Sequence, residues 1–168
     1  MVASTADKPE IFDRAAVAEI VGIDYAVVKN WSTGKPITIT PSIYAPNRKG
    51  AQSLYSRTDI YLFELAKELA ELGIALEAVA RTLAKLNLRW LDEDERGVLV
   101  LARLNTKNLV VEHIPGTLSG NDAAHEYARK IMPLMLSKQS SLVLSAHLNS
   151  ILNDVDKRIL KQKGTQGQ

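Results

Sequence analysis

Two short amphipathic segments on either side of Gly22 constrain the fold of this chain more than any other feature. The first predicts a helix over 14–21, with Asp13 as its N-cap, which Gly22 ends. The second predicts a helix over 25–31 that begins after Asp24. The apolar positions of the two stripes are Val17, Ile20, Val21, Ile23, Val27, Val28 and Trp31. Two short helices joined by a tight glycine-containing turn indicate a helix-turn-helix, although any surface αα-hairpin has a similar composition.

The positive charge of the chain is concentrated in one segment. Among 168 residues, 21 Lys and Arg nearly balance 19 Asp and Glu, and a net charge of +2 is too small for the whole molecule to act as a polycation. Between Asp24 and Asp59, however, there is no acidic residue. The basic residues of this segment are Lys29, Lys35, Arg48, Lys49 and Arg57. Any nucleic-acid surface must therefore be local and lie here; a solvated basic loop is the alternative.

The middle of this basic segment predicts a wing. Two β-prone stretches cover 37–40 and 53–55. The tip between them contains Arg48, Lys49 and Gly50. We expect the two stretches to pair as a hairpin whose basic tip reaches phosphates beside the groove that the second helix occupies.

Two further helices are predicted after the wing. Ser56 and Asp59 have the spacing of a variant capping box, which opens a third helix through about residue 72. Gly73 ends that helix, and a fourth follows to about residue 88. The expected core faces are Phe63, Ala66, Leu69 and Ala70 in the third helix, and Leu76, Val79, Ala80, Leu83 and Leu86 in the fourth.

Two motifs in this part of the chain carry a family resemblance. They are Ser-Leu-Tyr-Ser-Arg-Thr-Asp-Ile at 53–60 and Glu-Leu-Gly-Ile-Ala-Leu-Glu-Ala-Val at 71–79. Together with the order helix, glycine turn, helix, basic wing, they resemble the winged helix-turn-helix of the MerR family of bacterial transcriptional regulators. The resemblance covers roughly 11–88, about half the chain. It implies a DNA-binding regulator, commonly of a kind that distorts promoter DNA.

The chain departs from the family pattern at two places. The family's arginine-tyrosine-tyrosine triplet falls on Lys29, Asn30 and Trp31, which retains one cation and one large aromatic residue. Its arginine-x-tyrosine wing strand matches only at Tyr55, and the positive charge is displaced to neighbouring residues. Those residues are Arg48, Lys49 and Arg57.

The second half of the chain predicts a separate small domain. The four acids at 92–95 indicate a solvated linker. The β-rich runs 98–104 and 109–114 predict a hairpin, and 141–146 predicts a third strand. Between them, a helix that Asp122 caps is expected to kink at Pro133. Its expected core face is Ala124, Tyr127, Ala128, Ile131 and Met135.

A final helix and a polar tail complete the predicted architecture. The stripe of the helix is Leu148, Ile151, Leu152, Val155, Ile159 and Leu160. We interpret it as intrachain core in preference to a dimer seam, because a small domain needs it to bury its strands. The predicted fold class is mainly α with small β: a winged helix-turn-helix at 11–88 and a small α+β domain at 97–161.

The second domain does not continue the typical MerR pattern. Family members have a long dimerisation helix after their fourth helix, whereas Asp92 and Gly97 interrupt such a pattern here. The domain at 97–161 can instead pair subunits, bind a small-molecule effector or recruit a protein partner.

The residues needed for catalysis or metal binding are missing from the sequence pattern. There is no cysteine, and the three histidines, His113, His125 and His147, do not have metal-ligand spacing. No phosphate-binding glycine loop, nucleophile elbow or carboxylate pair is present. We therefore expect no enzymatic activity, no cofactor and no metal. Without an apolar run of about 18 residues or a signal peptide, we expect a soluble, cytoplasmic protein.

These observations predict a sequence-specific DNA-binding transcriptional regulator that acts as a homodimer. The predicted DNA contacts in the second helix are Tyr25, Lys29 and Asn30, although Lys29 can equally touch only phosphate. The predicted contacts after it are Lys35, Arg48, Lys49, Tyr55 and Arg57. Two alternatives remain open: an architectural, excisionase-like DNA-bending protein, and a protein-interaction adaptor built on a helix-turn-helix fold.

Overall fold

The computed structural model describes residues 10–34, 36–45, 51–103, 109–118, 120–136 and 142–166. The elements in chain order are β1 (Phe12–Asp13), α1 (Arg14–Val21), α2 (Tyr25–Thr33), β2 (Leu54–Tyr55), α3 (Arg57–Glu71), α4 (Leu76–Lys85), a 3-10 turn (Leu88–Leu91), β3 (Val98–Arg103), β4 (Leu109–Ile114), α5 (Gly120–Lys130), α6 (Met132–Leu136), β5 (Leu142–His147) and α7 (Leu148–Gln166). This architecture confirms the predicted fold class.

The first two helices form the predicted helix-turn-helix. Asp13 caps α1, because its carboxylate accepts a hydrogen bond from the amide of Ala16 at 2.8 Å. Gly22 ends α1 at a φ of 73°, a left-handed conformation that favours glycine. The second helix continues to Thr33, two residues beyond its predicted end at Trp31.

The wing differs from its prediction. The 37–40 stretch is not a strand, because Ile37 and Ile39 are buried in the core and the amide of Ile39 donates to the carbonyl of Trp31 at 2.6 Å. Tyr44 instead bridges to Leu54, and β2 also pairs antiparallel with β1. The predicted pairing of 37–40 with 53–55 is therefore wrong. The predicted tip residues Arg48 and Lys49 lie outside the described residues, as does Lys35.

The third helix is the centre of the N-terminal region. The capping box is confirmed: Ser56 Oγ accepts from the amide of Asp59 at 3.2 Å, and the Asp59 carboxylate accepts from the amide of Ser56 at 2.8 Å. Phe63 is fully buried in α3. The fourth helix ends at Lys85, three residues earlier than predicted, and the 3-10 turn follows it.

The second region contains a three-stranded antiparallel sheet in the order β4-β3-β5. Its β3–β4 hairpin confirms the predicted pairing, with Val98 opposite Ile114. The predicted helix from Asp122 is divided into α5 and α6 at Ile131, close to Pro133. Of its expected core face only Ile131 is buried, because that residue alone inserts against the sheet beside Val100 and Ile114. The exposed members of the predicted face are Ala124, Tyr127, Ala128 and Met135.

The last helix joins the two regions into one core. Its buried residues are Leu148, Leu152, Val155 and Ile159, whereas Leu160 is exposed. They pack in the same cluster as the apolar residues of α1 and α3, and Leu99 and Leu101 of β3 join them. The predicted linker at 92–95 is an exposed turn, but the core is continuous between 11–88 and 97–161. Among the described helices, none has the length and apolarity to cross a membrane.

Candidate nucleic-acid interface

The second helix presents a polar face to solvent. Tyr25, Lys29 and Asn30 are exposed, as predicted from the sequence, whereas Val28 and Ser32 on the other side are buried. Within the described ranges, Lys29 forms no ion pair with a carboxylate. The outward face of α2 therefore carries a cation and an amide that are available to a ligand.

Sequence reasoning missed Arg14, which lies beside this face. Its Nη1 donates to the hydroxyl of Tyr25 at 3.2 Å, and its Nη2 donates to Ser53 Oγ at 3.0 Å. The guanidinium carbon is 5.4 Å from the centroid of the Tyr25 ring, within cation–π distance. Arg14 thus connects the start of α1, the start of α2 and the segment leading into β2.

One sequence signal could have identified Arg14. It occupies the first position of α1, where the positive end of the helix dipole disfavours a cation. An arginine at such a position suggests a role other than helix stabilisation. It lies outside the acid-free segment, so the charge map did not include it.

The side chain of Tyr55, which the sequence predicts to contact DNA, lies in the core. Its side chain is 0% exposed, its hydroxyl is 2.7 Å from Ser32 Oγ, and its ring packs edge-on against Phe63. Tyr55 therefore holds α2 against the core. The exposed tyrosine of the wing is Tyr44, which is 43% exposed and whose backbone pairs with Leu54.

Arg57, which the sequence predicts to contact a phosphate, is paired with carboxylates in the structure. Two of its nitrogens donate to the carboxylate of Glu10, at 2.6 and 3.0 Å, and Nη1 lies 3.5 Å from Asp156 Oδ1 in α7. Although burial raises the pKa of Glu10, hydrogen bonds from Arg57 and Lys163 bring that pKa below its ordinary value. The charge of Arg57 is therefore engaged by carboxylates in the protein without DNA.

Two cations outside the helix-turn-helix, Lys67 and Arg158, bind the end of α1. Lys67 Nζ donates to the carbonyl of Val21 at 3.0 Å, and Arg158 Nη1 donates to the carbonyl of Ile20 at 2.6 Å. Both cations also bind the buried carboxylate of Glu64, at 2.8 and 2.7 Å. The end of α1, immediately before the turn, is thus fixed by α3 and α7.

No group of three or more acidic or histidine side chains in the part of the chain that the structure describes could hold a metal ion. The contacts predicted for Lys35, Arg48 and Lys49 fall outside that part and stay predictions.

A helix-turn-helix with an exposed polar second helix and an adjacent wing defines a DNA-binding module. Comparison with protein families supports the same class, since residues 15–86 match the model of the MerR HTH family regulatory protein. The N-terminal part of this chain is a MerR-family helix-turn-helix, and DNA binding and transcription regulation are the functions of that family. No match was found among curated proteins.

Proposed function

We propose that this protein is a sequence-specific transcriptional regulator that places α2 in the major groove of DNA. The observation that carries the proposal is the outward face of α2, where Lys29 and Asn30 project into solvent without an ion-pair partner among the described residues. A helix of this size enters the major groove, where lysine and asparagine can hydrogen-bond to base edges.

The neighbouring groups supply contacts to the DNA backbone. Arg14 and Tyr25 form a cation–aromatic pair at the start of α2, and a phosphate can accept from both the guanidinium and the tyrosine hydroxyl. Tyr44 extends this surface into the wing. We include Lys35, Arg48 and Lys49 in the same backbone-contacting set, from their positions in the sequence.

The regulator acts as a homodimer on two half-sites. One α2 offers few base-reading side chains, and two copies related by a two-fold axis multiply their discrimination. An inverted repeat in the bound DNA is the expected consequence.

Selection of bound sequences from a random duplex pool tests this function. We expect enrichment of an inverted repeat. Recovery of DNA without any enriched sequence would favour an architectural protein, and the absence of salt-dependent binding would favour an adaptor.

Substitution of Lys29 then assigns the reading helix. We expect Lys29→Ala to weaken binding to the selected site by about tenfold and to relax the preference at one position of each half-site. Lys157→Ala is the matched control, because Lys157 is an exposed lysine of α7 that pairs only locally with Asp154. An equal loss of affinity in the two variants would contradict the placement of α2 in the major groove.

The wing tip has its own measurement. We expect Arg48→Ala combined with Lys49→Ala to weaken binding to all sequences alike and to lower the slope of log K against log salt by about two, since two phosphate contacts are lost. An unchanged slope would remove these residues from the interface.

A further inference from the structure

The backbone hydrogen bonds of the three-stranded sheet show which residues of each edge strand point their amide and carbonyl groups outward. The amide of Leu148 donates to the carbonyl of Gly97 at 2.8 Å, and this pair continues the register in which Val98 lies opposite His147. Hydrogen-bonded pairs alternate along an antiparallel ladder. The backbone groups of Val143, Ser145 and His147 therefore point away from β3, toward the outer edge of β5.

The same alternation shows that the β4 edge is blocked. The groups of Leu109, Val111 and His113 point outward from β4. Lys85 Nζ donates to the carbonyl of Leu109, and Lys130 Nζ donates to the carbonyl of His113 at 3.0 Å. Two of the three outward carbonyls are thus already bonded, by lysines that α4 and α5 provide.

The β5 edge has none of these protections within the described ranges. No strand pairs with it other than β3, and no described side chain donates to its outward carbonyls. The strand is Leu-Val-Leu-Ser-Ala-His, six residues without lysine, glutamate or proline. Natural sheets usually blunt an open edge with such residues, and an uncharged edge of this length is a template for another strand.

We propose that β5 pairs antiparallel with β5 of a second copy of this chain, about a two-fold axis at Ser145. In this register Ser145 faces Ser145 of the second copy, and Val143 faces His147 of the second copy. All three outward-pointing residues of each strand then exchange backbone hydrogen bonds. The two sheets join into one that continues through both protomers.

The symmetry of the strand selects a second copy over a different partner. An antiparallel pair of identical strands is self-complementary, as a two-fold interface requires, and the uncharged edge brings no like charges together. The choice of occupant rests on the proposed function, because a regulator on an inverted repeat needs a two-fold assembly. The surface also explains how subunits can pair without a long dimerisation helix.

A cysteine cross-link tests the register directly. The chain has no cysteine, so Ser145→Cys introduces a single thiol. Residues opposite each other in a hydrogen-bonded pair have Cα atoms about 5.5 Å apart, within the range that a disulfide spans. His147→Cys is the matched control, because four residues of offset separate His147 from its own copy by about 13 Å.

We expect mild oxidation to give a covalent dimer of Ser145→Cys and little dimer of His147→Cys. Equal cross-linking of both variants, or none of either, would overturn the proposed pairing. Circular dichroism of the reduced proteins checks that both variants are folded.

A proline substitution tests the edge without a cross-link. The amide of Ser145 points away from β3, so Ser145→Pro removes a donor from the open edge and none from the β3 ladder. By sedimentation equilibrium without DNA we expect its dimer Kd to rise about tenfold or more, while Ser145→Thr keeps the wild-type value.

These measurements separate the edge from the proposed function. A wild-type dimer whose Kd is unchanged by Ser145→Pro would overturn the β5 edge and leave a DNA-binding homodimer intact. A wild-type protein that stays monomeric on DNA as well as free would overturn the edge and the homodimer together. Sequence-specific binding of that monomer would still retain the reading helix.

Discussion

The outward face of α2 and the interface between α3 and α7 differ in whether their cations are paired with carboxylates. At α2, Lys29 faces solvent, and Arg14 donates to the hydroxyls of Tyr25 and Ser53. In the α3–α7 interface, each arginine meets a carboxylate. The pairs are Arg57 with Glu10, Arg96 with Asp156, and Arg158 with Glu64.

The comparison shows which cations of a near-neutral protein stay available for DNA. A cation that a carboxylate already neutralises adds little to phosphate attraction, whereas one that binds only hydroxyls keeps its full charge. The net charge of +2 therefore says less than the pairing of each cation. In the sequence Arg57 lies in the acid-free segment, but in the structure it is paired with Glu10 and Asp156.

Substitution of Arg96 in the paired interface should destabilise the protein most strongly. This buried arginine donates to Asp156 Oδ2 at 2.8 Å, to the hydroxyl of Tyr61 at 2.7 Å and to the carbonyl of Leu91 at 3.1 Å. Burial, and then the hydrogen bond to Asp156, raise the pKa of Tyr61 to about 12. We expect Arg96→Ala to lower the free energy of unfolding by about 3 kcal/mol, because it removes the buried cation that faces Asp156 together with the hydrogen bonds to Tyr61 and to the carbonyl of Leu91, and leaves a cavity.

Urea denaturation measures this loss. Lys157→Ala is its control, since both Lys157 and its partner Asp154 are largely exposed and we expect no measurable change in stability. Similar stabilities for the two variants would show that the buried ion pair of Arg96 contributes no more to stability than the exposed pair of Lys157.

A positive charge that is created in the packed region without a carboxylate should also be costly. Burial, and then the charge of Lys130, lower the pKa of His113 to about 4. Its ring stacks on Trp90 with centroids 4.8 Å apart, and its Nε2 has no hydrogen-bond partner among the described residues. Between pH 6.5 and 4 the unfolded chain binds this proton more readily than the folded chain, so stability falls as the pH is lowered.

We expect His113 to account for a loss of about 3 kcal/mol by pH 4, and for none above pH 7. The measurement is the free energy of unfolding at several pH values for the wild type and for His113→Phe, which keeps a stacking ring and removes the titration. Carboxylates that titrate in the same interval affect both proteins. Identical pH profiles would show that His113 is not the group responsible.

Signals between residues close in the sequence were enough to predict the helix-turn-helix. Its DNA interface depends instead on contacts between residues far apart in the sequence. Asp13, Gly22 and the Ser56–Asp59 capping box act within a few residues, so the sequence pattern identified them. The role of Arg14 depends on partners 11 and 39 residues away. No periodicity or charge count reports such a contact.

The errors in the wing and in the second region have a similar cause. Ile37 and Ile39 fit a strand and a buried loop equally well, and packing under α2 decided between them. The helical spacing of apolar residues in α5 and α6 predicted a core face, but most of that face is exposed. A short helix pattern cannot show whether a neighbour covers it.

Arg14 and Arg57 give a direct test of the comparison on DNA. We expect Arg14→Ala to weaken DNA binding by about tenfold and to lower the salt slope by about one, because one phosphate contact is lost. Arg57→Ala should leave the salt slope unchanged and lower the melting temperature, since it breaks the contact with Glu10. Arg14→Lys keeps the charge and loses the fork to Tyr25 and Ser53, so it should retain the slope. A reduced slope in Arg57→Ala would reverse the assignment of the two arginines.

Removal of a single hydroxyl group distinguishes the roles of the two wing tyrosines, Tyr44 and Tyr55. Tyr55→Phe removes a buried hydroxyl that meets Ser32 Oγ, and we expect a loss of about 1 kcal/mol in unfolding free energy. Ser32 still donates to the carbonyl of Val28 at 2.6 Å, so α2 should keep its position and DNA affinity should change little.

Tyr44→Phe removes an exposed hydroxyl, and we expect unchanged stability with DNA affinity reduced about threefold. Titrations at one salt concentration and thermal melts of both variants give the comparison. If Tyr55→Phe lost DNA affinity while Tyr44→Phe did not, the contact would lie on the strand position that the sequence first indicated, and the wing would have to rearrange on DNA to expose it.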